Sequence, residues 1–235
     1  MKIRFLQNKP DTGRIWELDF FRGLAMLFMI YFHLIYDMKE FYGYPVSYEG
    51  NVTGYIGKIS AILFITISGI STSLSRSSWK RGLKVLGAAL LITLASYLFD
   101  HNFFVIFGIL HFIGLSMILS GAFKKLDNFM LIAVAAAILV VGYTLPLDNF
   151  SNDYLMMLGF RSQAFASSDY YPLLPYFGIF LIGMVLGRIL YSERKSLLKP
   201  LPYHWTISIA GRHTLPVYLI HQPLILFILY LISIL

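Results

Sequence analysis

The sequence predicts an all-α fold, a polytopic transmembrane helix bundle of about seven spans, and three observations carry that prediction. Hydrophobic residues make up 57% of the 235, charged residues only 13%, and the mean hydropathy is +0.69. A soluble domain carries about 25% charged residues. Apolar runs of spanning length follow one another with short polar breaks, and about 20 such residues cross a hydrocarbon core. Lysine and arginine gather in alternate breaks, which is the signature of membrane orientation. Those clusters account for the net charge of +7 and argue against a nucleic-acid face. With no cysteine in the chain, disulfides, zinc thiolates and thiol nucleophiles are excluded. The close succession of runs predicts a single membrane-embedded domain over 1–235.

In order, residues 1–15 form a polar tail with Lys2, Arg4, Lys9 and Arg14. It is not a signal peptide, because the next run has full spanning length and no small-residue cleavage site follows it. Spans are expected over 18–37, 53–74, 82–99, 103–122, 128–145, 172–191 and 213–235. Gly54, Gly57 and Lys58 dilute the start of the second, and the third is barely long enough. The tail, the 75–84 junction (Arg76, Lys80, Arg81, Lys84), the 123–127 turn (Lys124, Lys125) and the 188–212 segment are basic. The other breaks hold only Lys39, Lys58 and Arg161 among several carboxylates. This alternation places the N-terminus in the cytoplasm and the C-terminus outside. The longest connection, 146–171, then lies outside and is rich in aromatics and methionine. A connection of that length in a compact bundle is usually functional or folded into the bundle mouth.

The chemistry-bearing residues concentrate in the first span. Arg22 and His33 are eleven residues apart, three turns plus roughly 20°, so they share a face at a separation of about 16 Å. Asp19 and Asp37 extend the stripe at i−3 and i+4. Ionisable groups inside a membrane helix mark a functional site by default. Asp37 can hold one ring nitrogen of His33 as donor and leave the other as acceptor, as a general base requires. It can equally well end the helix among headgroups. Asp19 is spaced to pair with Arg22, whose guanidinium either snorkels or receives a phosphorylated ligand.

His111, between Gly108 and Gly114, falls eight residues into the fourth expected span, about 12 Å deep; it suits a structural hydrogen bond as well as a functional one. His221 falls eight residues into the last span and precedes Pro223, which frees a backbone carbonyl. A wet, kinked helix fits a substrate channel and also a plain kink. Ser68, Gly69, Ser71 and Thr72 read first as a packing seam of small residues. A weaker reading makes His111 and His221 axial ligands of a haem.

Glu17-Leu18-Asp19-Phe20-Phe21-Arg22-Gly23-Leu24-Ala25 followed by His33 resembles the first helix of the membrane acyltransferase superfamily. The segment Gly211-Arg212 to Tyr218-Leu219-Ile220-His221-Gln222-Pro223 resembles its late helix. Over nearly the full length the chain is similar to the bacterial branch of heparan-α-glucosaminide N-acetyltransferase catalytic-domain proteins. Phe64 to Ser71, Phe107 to Ser116 and Tyr171 through Gly187 carry that likeness. The chain departs from the lysosomal enzymes in having no histidine over 38–57 and His111-Phe112 in place of a glutamine-arginine pair.

The resemblance implies acyl transfer across the membrane, from cytoplasmic acetyl-CoA or another acyl-CoA to an extracytoplasmic sugar or glycan amine or hydroxyl. It implies His33 as the catalytic histidine and Arg22 at the coenzyme entrance; by their spacing, Asp37 is expected to orient His33 and Asp19 to pair with Arg22. His111, His221, Ser68, Ser71 and Asp169 are expected along the substrate path. The partners expected are the lipid bilayer, the acyl-CoA and the acceptor, in the plasma membrane. No metal and no nucleic acid are expected, and a homo-oligomer is left open. The rival from another class is a small-solute transporter or membrane scaffold with the same helix pattern.

Overall fold

The computed structural model describes residues 14–234 apart from 102 and 200–203; most of the basic tail expected over 1–15 lies outside them. Eight helices make up the described architecture: α1 (Trp16–Glu40), α2 (Val52–Ser73), α3 (Ser78–Phe99), α4 (Ile109–Phe123), α5 (Asn128–Thr144), α6 (Leu173–Leu190), α7 (His204–Arg212) and α8 (Thr214–Ser233). Five of them, α1, α2, α3, α6 and α8, are long and apolar enough to cross a membrane. The two shorter apolar helices, α4 and α5, have 15 and 17 residues. All seven expected spans appear as helices, with two displaced starts: α3 begins at Ser78 where 82 was expected. The fourth was expected from 103, but α4 begins at Ile109. Residues before it are tied as a loop, with Val105 N–H donating to Ser96 and Phe107 bridged to Tyr170.

Asn51 caps α2 and Asp127 caps α5, each side chain accepting from a backbone N–H of the first turn. In lipid no hydrophobic force draws helices together, so small residues and close packing set the contacts. At the crossing of α2 and α6, Gly69 faces the Phe180 carbonyl and Gly183 faces that of Thr66. A β-carbon at either position would collide with the opposite backbone. Gly211 of α7 meets the Asp19 carbonyl of α1 in the same way. Ile65, Leu131, Phe112, Phe180, Leu181 and Met184 fill the interior. Leu90, Leu91, Leu94 and Leu98 on α3, and Leu224, Phe227 and Ile228 on α8, are exposed and form the face a bilayer would cover.

The connections sort to two ends. At one, Arg22 bonds Ser71, Lys124 bonds the Ser75 carbonyl, and Arg188 bonds the Lys124 and Leu126 carbonyls. This basic end also holds the 191–199 segment, where Leu198 accepts from the Trp16 indole. The opposite end carries the 41–51, 100–108 and 145–172 connections. α8 lies alongside α1 in the same direction, as the successive pairs Asp19–Arg212, Asp37–Gln222 and Tyr42–Leu226 require.

Candidate active site

A cavity of about 500 Å³ opens at the end away from the basic one. Phe32 and His33 of α1, Lys58 of α2, Asp169, Tyr176 of α6 and Tyr218 of α8 are among its lining residues. Its walls set aromatic rings beside polar and charged side chains, Glu49, Asn51, Ser60 and Ser168 among them, so a ligand there meets both stacking surfaces and hydrogen-bonding groups.

His33 meets His221 across the α1–α8 contact, with ring centroids 5.1 Å apart. The Nδ1 of His33 and the Nε2 of His221 are both buried and have no hydrogen-bond partner. Nδ1 of His221 sits 2.6 Å from the Tyr218 carbonyl. A carbonyl only accepts, so that nitrogen carries the proton and Nε2 is left with a lone pair. Behind the pair, Asp37 is wholly buried. Its two oxygens accept from Gln222 Nε2 at 2.7 and 2.9 Å.

Asp169 ends the long connection by turning into the bundle. Its Oδ2 accepts from Ile109 N–H at 2.9 Å, at the start of α4, where the helix dipole favours a carboxylate. The Tyr218 hydroxyl donates to the same side chain. Burial still wins, and the carboxyl is pushed up to about 6 despite these two donors. Burial likewise raises the neighbouring Tyr171 phenol above its ordinary value.

At the basic end Asp19 is buried among Arg14, Arg22 and Arg212, with N···O distances of 3.2, 3.2 and 3.4 Å. Arg22 spends its other nitrogen on Ser71 Oγ at 2.8 Å. Arg81 lies within electrostatic reach of Arg22, and the buried Glu17 accepts from Leu197 N–H at the same end.

The sequence model of the family described as heparan-alpha-glucosaminide N-acetyltransferase, catalytic, matches residues 14–223. The chain belongs to that family. No curated protein and no solved structure matches it. Family membership makes it a multi-pass membrane acetyltransferase, and several of its residues sit otherwise than the sequence led one to expect.

In this heparan-α-glucosaminide N-acetyltransferase family member, Asp37 does not orient His33; Gln222 takes both of its oxygens. The i+4 spacing held, but a residue 185 positions away competes for the carboxylate. His111 is the third residue of α4, not a mid-span group. Its Nδ1 accepts from Gly108 N–H at 3.2 Å and its Nε2 meets Thr93 Oγ1 at 3.1 Å. Both nitrogens are therefore occupied, Nδ1 in closing the first turn of α4 and Nε2 in tying it to α3, which leaves neither for a substrate path or for a haem. Ser71 serves Arg22, and neither Ser68 nor Ser71 lines the cavity. His33 and Asp169 do line it, and His221 abuts His33. Among the described residues no group of three histidine, aspartate or glutamate side chains is placed to hold a metal ion. Gln222 and Tyr218 were given no role from sequence, although both stand in the late-helix motif with His221.

Proposed function

We propose that this acetyltransferase moves an acetyl or other acyl group from cytoplasmic acyl-CoA to the amine or hydroxyl of a sugar or glycan outside the plasma membrane. The observation that carries the reading is the imidazole pair, two buried ring nitrogens without partners, beside an aromatic cavity remote from the basic end. In this reading the basic end faces the cytoplasm. The guanidinium groups gathered around Asp19 suit the coenzyme's phosphates. The thioester then enters past Ala25, Met26 and Met29, which are buried between Arg22 and His33; methionine is the side chain best able to shift.

His33 accepts the proton of the acceptor amine or hydroxyl as its nitrogen or oxygen attacks the thioester carbonyl. The carbon–sulfur bond breaks, the acyl group passes to the acceptor, and the coenzyme thiolate leaves with a proton returned from His33. Tyrosine rings in the cavity offer stacking surfaces for a pyranose.

The test is purified protein with radiolabelled acetyl-CoA and an α-glucosaminide as acceptor. Wild type should transfer label. The His33→Ala variant should lose at least 100-fold, the low end of a general base's contribution, while it inserts and elutes as wild type. Acetyl-CoA should also raise the melting temperature, a shift that a transporter of unrelated solutes would not show. Full transfer by His33→Ala would overturn the base assignment.

A further inference from the structure

Resting on that reading, we infer that His221 is the positioning residue of the base: it holds His33 in the tautomer that leaves Nε2 free to take a proton. A general base on an imidazole needs its other nitrogen fixed as a donor, and the carboxylate nearest in sequence is withdrawn from that task by Gln222.

The geometry supplies the substitute. His221 Nδ1–H is spent on the Tyr218 carbonyl at 2.6 Å, so its Nε2 is an acceptor, buried and unbonded. The buried unbonded nitrogen of the facing ring is His33 Nδ1. The centroid separation is 5.1 Å. Two imidazoles joined by one N–H···N bond of about 2.9 Å, each nitrogen about 1.1 Å from its ring centre, would have centroids about 5.1 Å apart. The rings are inclined at 60° and the bond is not made as they stand. The bond requires the His33 ring to turn about χ2, a broad torsion in histidine, while His221 stays on the Tyr218 carbonyl. The order of bonds is then Tyr218 C=O to H–Nδ1 of His221, His221 Nε2 to H–Nδ1 of His33, and His33 Nε2 to the acceptor.

Two further contacts hold the arrangement. The Tyr218 ring packs edge-on to His221 at 5.1 Å, and its hydroxyl bonds Asp169 at the cavity wall. The Asp37–Gln222 bonds clamp α1 to α8 one residue beyond His221.

The experiment compares His221→Leu with His221→Gln, whose amide oxygen can still accept from His33. It measures kcat and KM for acetyl-CoA with an α-glucosaminide as acceptor, beside ¹⁵N spectra of protein labelled at histidine. His33→Ala identifies the His33 resonances. In wild type, His33 should be the Nδ1–H tautomer with a hydrogen-bonded Nδ1 shift. In His221→Leu that signature should vanish and kcat should fall at least tenfold with KM within twofold; His221→Gln should recover part of both. If wild type transfers acetyl and His221→Leu keeps full kcat, or His33 keeps its tautomer, the inference is overturned while the acetyltransferase reading stands. Should wild type transfer nothing, that reading itself fails, and the spectra alone decide whether the two rings are bonded.

Discussion

Asp37 is wholly buried between α1 and α8, and Gln222 meets both of its oxygens. A buried polar group stripped of its partner loses about 1–3 kcal/mol, more when charged, whereas exchange that preserves a bond loses little. Gln222→Leu should therefore lower the melting temperature in detergent markedly, and Asp37→Asn, which keeps an acceptor for Gln222, should lower it far less. Equal effects would show that the pair contributes no more than packing. The same residues show what the sequence could reveal at this scale. Spacing on one helix brought Arg22, His33 and their acidic neighbours to attention, and the Arg22–Asp19 pair is present at 3.2 Å. Spacing could not reveal that Asp37 answers to a residue 185 positions later, or that His111 is consumed by Thr93 and Gly108. Those depend on which helices are neighbours, and hydropathy is silent on that.

Among the elements, the α2–α6 crossing has the least tolerance. Gly69 and Gly183 bring the two backbones into contact, so Gly183→Val should abolish recovery of folded protein, whereas Gly87→Ala, where a β-carbon meets nothing within 4 Å, should leave it unchanged. Size-exclusion yield from membranes distinguishes the two. The 146–171 connection is held to α4 and α8 through Asp169. Its carboxyl lies at about 6 in the folded protein against an ordinary 3.8. Folding thus favours the protonated form, and the associated stabilisation is present below the ordinary value and lost as pH rises through about 6. The melting temperature of wild type relative to Asp169→Asn should accordingly fall between pH 4 and 6.5; a constant difference would refute the assignment. Element boundaries were legible where polar breaks were sharp, but Phe103, Phe104, Val105 and Ile106 are as apolar as any span and fold as loop against 167–171. α7 was not foreseen, because nine residues with a mixed pattern give little hydropathy signal.

For the molecule as a whole, the distribution of cations is the basis of the proposed orientation. Arg22, Lys124, Arg188 and Arg212 meet at one end, and the cavity opens at the other. In the proposed orientation, with lysine and arginine retained in the cytoplasm, the cavity with His33 and Asp169 opens outward. Because the chain contains no cysteine, a single introduced thiol reports its own side without background. Ser151→Cys lies exposed in the long connection and Ser196→Cys lies exposed beyond α6 at the basic end. In intact cells a membrane-impermeant maleimide should label the first and leave the second unlabelled until the membrane is opened. The reverse pattern would put the cavity in the cytoplasm, where acyl-CoA and acceptor would share one compartment. The two-ended arrangement would then have no part in transfer across the bilayer, and the imidazole pair would act on substrates from a single compartment.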